Sequence, residues 1–193
     1  MPSYYTEAEL SAASGLRTAS DASARLNQFS KSLVGPIDVF LSHSVLDARV
    51  ILGLHSLLSS QGLRVYVDWI DDPHLDRAAV SPATAVRLRK KMSDSRSLIY
   101  ATSRAASASR WMPWELGYFD GLRNSNRISI LPIENPSNNA FVGQEYLGLY
   151  RTIEKVLDGG QYAPFAVRHT RTHGEALGSF ARGLGQFVQL TQT

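Results

Sequence analysis

The chain has 193 residues, 44% of them hydrophobic, with no cysteine and a net charge of +3, enough apolar material for one core of ordinary size. The missing thiols exclude disulfides, cysteine nucleophiles and cysteine-ligated metals. The 20 basic residues, mostly arginine, are scattered among 17 acidic ones, so nucleic-acid binding is not implied. No apolar run approaches the roughly 18 to 20 residues of a membrane span, and Met-Pro-Ser-Tyr-Tyr-Thr-Glu carries no basic start followed by an apolar stretch; the expectation is a soluble, cytoplasmic protein.

In chain order, residues 6–33 come first, rich in Ala, Ser and Leu, with apolar side chains at Leu10, Ala13, Leu16, Ala24, Leu26, Phe29 and Leu33. This spacing predicts one or two amphipathic helices, an N-terminal extension over 1–34. Gly35-Pro36 breaks the pattern, and a main domain over 35–193 opens on the β-prone run Ile37-Asp-Val-Phe-Leu41. Predicted elements then alternate: strand 37–42, helix 46–60, strand 63–69, helix 82–92, strand 97–102, helix 110–123, strand 127–133. Alternation of this kind predicts an α/β domain with a parallel sheet covered by helices. The second strand, Leu63-Arg-Val-Tyr-Val-Asp68, alternates more clearly than the others and is expected at a wetter sheet edge, with Gly62 before it as a helix C-cap. Beyond Pro132 come a turn at 135–139, a fifth strand or short helix within 146–156, a loop at Gly159-Gly160, and a closing helix within 172–190.

Ligands of open α/β sheets bind beyond the carboxyl ends of the strands, where strand order reverses. Polar groups expected there are Ser42-His43-Ser44 after the first strand, Asp68-Trp69 and Asp71-Asp72 after the second, and Thr102-Ser103-Arg104 after the third. In the order 2-1-3-4-5 the first and third strands flank the reversal, so the helix carrying Glu115 overlooks it. On a helix Glu115 lies beside Trp111 one turn back and Tyr118 and Phe119 one turn on, a setting in which carboxylates are desolvated. It is either a surface glutamate over apolar neighbours or a group with chemistry to do. Simpler roles stand beside the others: Ser44 with Asp47 reads as a helix cap, His43 as a satisfied histidine, Trp69 and Trp111 as core, and Asp71-Asp72-Pro73 as a turn. His169 and His173 stand four apart with no acidic third ligand, so no metal site is expected. The basic group Arg87, Arg89, Lys90, Lys91 and Arg96 reads as a solvated face. P-loop, G-x-G-x-x-G, G-x-S-x-G and H-E-x-x-H patterns are absent.

Four blocks in order resemble the Toll/interleukin receptor (TIR) domain family, specifically stand-alone bacterial TIR-like proteins: Asp38-Val-Phe-Leu-Ser-His-Ser44, Leu63-Arg-Val-Tyr-Val-Asp-Trp69, Ser95-Arg-Ser-Leu-Ile-Tyr-Ala-Thr-Ser103 and Ser109-Arg-Trp-Met-Pro-Trp-Glu-Leu116. The last is similar to the family's S-x-W-x-x-x-E-L helix start. The resemblance implies a flavodoxin-like three-layer sandwich, with a central parallel five-stranded sheet in the order 2-1-3-4-5 and helices on both faces. In enzymatic members it implies cleavage of the nicotinamide–ribose bond of NAD, with the motif glutamate, here Glu115, catalytic. NAD is then a substrate, with no separate cofactor, and Ser42, His43, Asp68, Trp69 and Trp111 are expected to bind it. The acceptor of the ribose is water, an adenine nitrogen, a ribose hydroxyl or another small molecule, giving ADP-ribose or a cyclised or conjugated signal for anti-phage defence and a possible downstream effector. The 70–81 stretch matches the position of the family's mobile loop, implying self-association there and through neighbouring helices. Many relatives are non-catalytic adaptors, and a nucleoside deoxyribosyltransferase-like enzyme is a third reading.

Overall fold

The structure, a computed structural model, describes residues 3–15, 21, 36–44, 48–67, 81–103, 106, 109–134 and 144–190. Its elements are β1 (Tyr5–Thr6), α1 (Glu7–Ala13), β2 (Ile37–His43), α2 (Ala48–Ser60), β3 (Val65–Tyr66), α3 (Pro82–Ser93), β4 (Ser95–Thr102), α4 (Trp111–Arg123), β5 (Ile128–Glu134), β6 (Arg151–Asp158), β7 (Gln161–Val167), β8 (His173–Ala176), α5 (Leu177–Arg182) and β9 (Phe187–Gln189). Short 3-10 turns lie at Ser125–Arg127 and Glu145–Leu149.

The sheet runs β3-β2-β4-β5-β6-β7-β8-β9. Its first five strands are parallel and keep the expected 2-1-3-4-5 order, while β6–β7, β7–β8 and β8–β9 pair antiparallel. The sheet is therefore larger than the five strands expected. The closing helix over 172–190 is replaced by β8, a six-residue helix and β9, because Gly183 and Gly185, at φ 72° and 69°, turn the chain back on itself. His173 consequently sits on a strand and not on a helix with His169.

Strand alternation divides the core into two faces. One is formed by Val39 and Leu41 of β2 with Leu10 of α1, Ile51, Leu54 and Leu58 of α2 and Phe180 of α5. The other joins Phe40, Tyr66, Leu98 and Tyr100 to Leu88 and Met92 of α3 and Met112, Leu116 and Phe119 of α4. The second strand does lie at an edge, but Val65 and Tyr66 are both buried, so its alternation does not mark a wet face. Gly62 ends α2 at φ 69°, as expected of a C-cap.

The described part of the N-terminal segment is built into this core. Thr6 and Glu9 form a reciprocal capping box at the start of α1, the side chain of each serving the other's amide at 3.1 and 2.8 Å. β1 pairs parallel with the end of β5, and the Lys155 amide donates to the Ser3 carbonyl at 2.7 Å. Leu10 is buried against α2, where Gly53 lets the backbones approach until a Cβ would collide with the Leu10 carbonyl. Gly53→Ala is therefore expected to destabilise the fold by about 1–3 kcal/mol. The urea midpoint of unfolding reads this directly, and an unchanged midpoint would show that α1 does not dock as described.

His55 of α2 is half-buried, and burial holds its imidazole down at about 4. Below the ordinary value of about 6.5 the unfolded chain takes a proton that the folded chain refuses. Stability is thus expected to fall as pH drops from about 6.5 towards 4. Urea midpoints at pH 7 and pH 5 should differ less in His55→Gln than in the parent chain; an equal difference would assign the acid sensitivity elsewhere.

Candidate active site

The parallel strand order reverses between β2 and β4, whose C-terminal ends carry Ser42 and Tyr100 side by side in register. Above them runs α4. Ser109 prepares its start by accepting the Met112 amide at 3.3 Å, and Pro113 falls in the first turn, where its missing N–H leaves no hydrogen bond unmade. The helix turns Trp111, Met112, Glu115, Leu116 and Phe119 inward. Glu115 is 0% exposed and Trp111 7%. Trp114 and Tyr118 take the outer side, stacked at 5.8 Å with the Arg89 guanidinium over both rings. Trp111 meets Trp114 edge-on at 5.4 Å.

Ser42 Oγ donates to Glu115 Oε2 at 2.6 Å, within the short range of a hydroxyl bonded to a carboxylate. This bond joins the end of β2 to the second turn of α4 across 73 positions of sequence. A charge withdrawn from water needs such donors, because burial alone costs it several kcal/mol. Tyr100, on the same face, is pushed up by burial, by the neighbouring Tyr146 with its hydrogen bond, and by the charge of Glu115. Tyr146 comes from the turn Glu145–Leu149. Next to it, Tyr150 donates to Asp120 Oδ2 at 3.1 Å and is raised to about 12 by burial and by Asp120. Tyr146 and Tyr150 lie in no sequence motif, and the approach of Tyr146 to Tyr100 depends on pairings that no local pattern encodes.

The residues singled out in the sequence do not all converge. Ser42, Glu115 and Trp111 share one face of the sheet. His43, fully buried, falls on the opposite face by strand alternation, with Nδ1 3.0 Å from the Leu41 carbonyl. Asp68, Trp69, Asp71 and Asp72 lie outside the described residues, as does the 70–81 stretch except Ser81, which caps α3 by accepting the Thr84 amide. Ser44 Oγ makes no hydrogen bond and so does not cap α2; Asp47 is outside the described residues. Among the described residues no three His, Cys, Asp or Glu side chains gather to hold a metal, and no helix is long and apolar enough to cross a membrane. The basic group on and after α3 is exposed except Lys91, which is half-buried over the Tyr66 ring at 5.1 Å; Lys90 pairs with Asp94 at 3.1 Å and Arg96 with Asp38 at 2.9 Å.

No family model matches the chain. Over 119 residues it is 51% identical to a protein of Bacillus cereus (strain MSX-D12) described as probable 3' cyclic ADP-D-ribose synthase ThsB', covering 61% of each. Over 82 residues it is 33% identical to the putative cyclic ADP-D-ribose synthase TIR2 of Cytobacillus dafuensis, covering 42% of this chain and 22% of that protein. The chain thus spans about three fifths of the first relative and about a fifth of the second. The parallel core in its 2-1-3-4-5 order and the Trp111 to Glu115 helix set over the strand reversal agree with the resemblance of the chain to TIR domains, and the relatives it is similar to are described as cyclic ADP-D-ribose synthases.

Proposed function

We propose that this protein cleaves the nicotinamide–ribose bond of NAD with Glu115 as the catalytic carboxylate, and that it releases nicotinamide and a cyclised ADP-ribose. The observation that carries the reading is the fully buried Glu115, oriented by Ser42 at 2.6 Å at the crevice where strand order reverses. The names of the two relatives support the same class of product.

The chemistry needs little else. As the bond to the ring nitrogen breaks, its electron pair leaves with nicotinamide, which departs neutral and requires no general acid. Positive charge develops on the ribose, and a preoriented carboxylate in a water-poor site stabilises it. Ser42 holds that carboxylate in place, and Trp111 packs beside it at the start of α4. NAD enters as substrate, and no separate cofactor takes part. In a bacterial cytoplasm the product serves as an anti-phage signal to a downstream effector, and self-association through the 70–81 stretch and neighbouring helices raises activity. Asp68 and Trp69 follow β3 in sequence and complete the substrate-binding set with Ser42 and Trp111.

Purified protein at high concentration, incubated with NAD, is expected to release nicotinamide. Partner-dependent assembly without any turnover would favour an adaptor instead. Exchange of a free base into a deoxynucleoside would favour a deoxyribosyltransferase.

A further inference from the structure

A cavity of about 650 Å³ lies on the antiparallel strands β6 to β9, beyond β5 from the strands that carry Ser42 and Tyr100. Small-ligand sites have volumes of about 300–1,000 Å³ and join apolar walls to a few polar groups. Strand register defines the floor of this one. Glu154 stands opposite Phe165, and Val167, Gly174 and Val188 follow one another across β7, β8 and β9, so these residues share a face. Gly174 brings no side chain, and Leu190 leans over it. Ile153 and Ala166, one step off, go to the core on the other face.

Two polar groups look into the cavity. Glu154 is only 8% exposed, and its Oε1 accepts from Arg171 Nη2 at 2.8 Å. Among the described residues nothing donates to Oε2, although a carboxylate taken out of water normally has both oxygens engaged. Arg171 stands in the left-handed region at φ 54°, between β7 and β8, where glycine or asparagine fits with less strain. Strain of this kind persists where the side chain has work to do. The guanidinium meets Glu154, donates to the Tyr4 hydroxyl and stays 39% exposed on the cavity wall. It carries five N–H donors, more than these contacts use.

We infer that this cavity binds a planar ring with an amide-type edge, placing an N–H donor of the ligand on Glu154 Oε2 and the adjacent acceptor on Arg171. Phe165, Val167, Val188 and Leu190 supply the apolar walls for the ring. Charge narrows the class. Glu154 and Asp158 line the cavity against one guanidinium, while the Lys155 ammonium is taken by Glu9 at 2.8 Å. An anion is therefore repelled overall, and a cation at Oε2 would sit beside Arg171. A neutral edge that both donates and accepts avoids both conflicts. Primary carboxamides and nucleobases each carry such an edge. The site stands apart from Glu115 and does not rest on the NAD-cleaving reading.

Binding of nicotinamide, adenine and nicotinate is to be measured by titration calorimetry on the full chain and on Val188→Trp, Arg171→Gly and Glu115→Gln. Nicotinamide probes the carboxamide source and adenine the nucleobase. At least one should bind with a Kd below about 1 mM, a modest demand on about ten non-hydrogen atoms. Nicotinate, the same ring with a carboxylate, should bind at least about tenfold more weakly than the probe that binds. Val188 is 48% exposed at the cavity mouth, so a tryptophan there should fill the space, weaken binding at least about tenfold and leave the urea midpoint near the parental value. Arg171→Gly removes the guanidinium from a backbone position that glycine tolerates, and should weaken binding at least about tenfold as well. Glu115→Gln should bind as the parent does. No binding of nicotinamide or adenine, or binding that survives both Val188→Trp and Arg171→Gly, overturns the inference. So does nicotinate binding as tightly as the neutral probe, or binding lost in Glu115→Gln, which would move the ligand to the crevice at Glu115.

Discussion

Glu115→Gln is expected to lower nicotinamide release from NAD by at least about 10²–10³-fold, the effect of removing one preorganised electrostatic group from an active site. The substitution keeps the size and shape of the side chain, and Ser42 can still donate to the amide oxygen, so the 2.6 Å contact has a counterpart in the variant. What disappears is the charge that the developing cation on ribose requires. Because that charge acts in the transition state more than in substrate binding, kcat should carry the loss and KM should change little. Cooperative unfolding should persist, since the helix holding residue 115 is fixed by the packing of Met112, Leu116 and Phe119. A variant that retains parental turnover would remove Glu115 from the mechanism.

A second large effect is expected at the other end of the sheet and on stability alone. Glu175 is only 2% exposed, yet its carboxylate is fully engaged. Oε2 takes the Arg151 guanidinium at 3.1 Å, while Oε1 accepts from Ser179 Oγ at 2.7 Å and from the amides of Gly185 and Gln186 at 2.9 and 3.2 Å. One side chain thus ties β6, α5 and the turn leading to β9. Arg151 lies over the Phe180 and Phe187 rings, and burial pulls its pKa down while Glu175 opposes that shift. Removing Glu175 takes the ion-pair partner from the half-buried Arg151, which among the described residues keeps only Asn126 Oδ1 at 3.3 Å, and strands two amides together. Glu175→Ala is expected to destabilise the protein by about 3–5 kcal/mol, read from urea unfolding. Glu175→Gln, which can still accept the three bonds to Oε1, should lose less. A cost under about 1 kcal/mol for the alanine variant would mean that this cluster behaves as a surface ion pair.

The sequence was most legible where period and length agree. The alternation of short apolar strands with amphipathic helices from 37 to 133 carries the first four parallel strands and α4 with Glu115, because each element buries a face that its own period marks, while the 2-1-3-4-5 order is what the TIR resemblance implies. It failed in the last third. Leu177, Phe180, Ala181, Leu184, Phe187 and Val188 have helical spacing, but Leu184 and Val188 are exposed and the positive-φ glycines between them break the helix. β6 and β7 form a hairpin about Gly159-Gly160 and β7 pairs with β8 across residues 168–172, local antiparallel pairings of which the sequence reading marked only the loop at Gly159-Gly160. The site divides in the same way. Glu115 and Ser42 are legible because a helix motif and a strand end sit at the expected reversal. Tyr146 reaches Tyr100 from an irregular turn. His43 shows the opposite lesson, since one step along a strand carries a side chain to the far face of the sheet.

The most direct test of Glu115 as the catalytic carboxylate of an NAD-cleaving TIR protein is mass spectrometry of NAD incubated with the parent chain and with Glu115→Gln, side by side and both shown to be folded. The account predicts nicotinamide and a cyclised ADP-ribose from the parent, and intact NAD from the variant. Intact NAD in both reactions, or equal product in both, would contradict it.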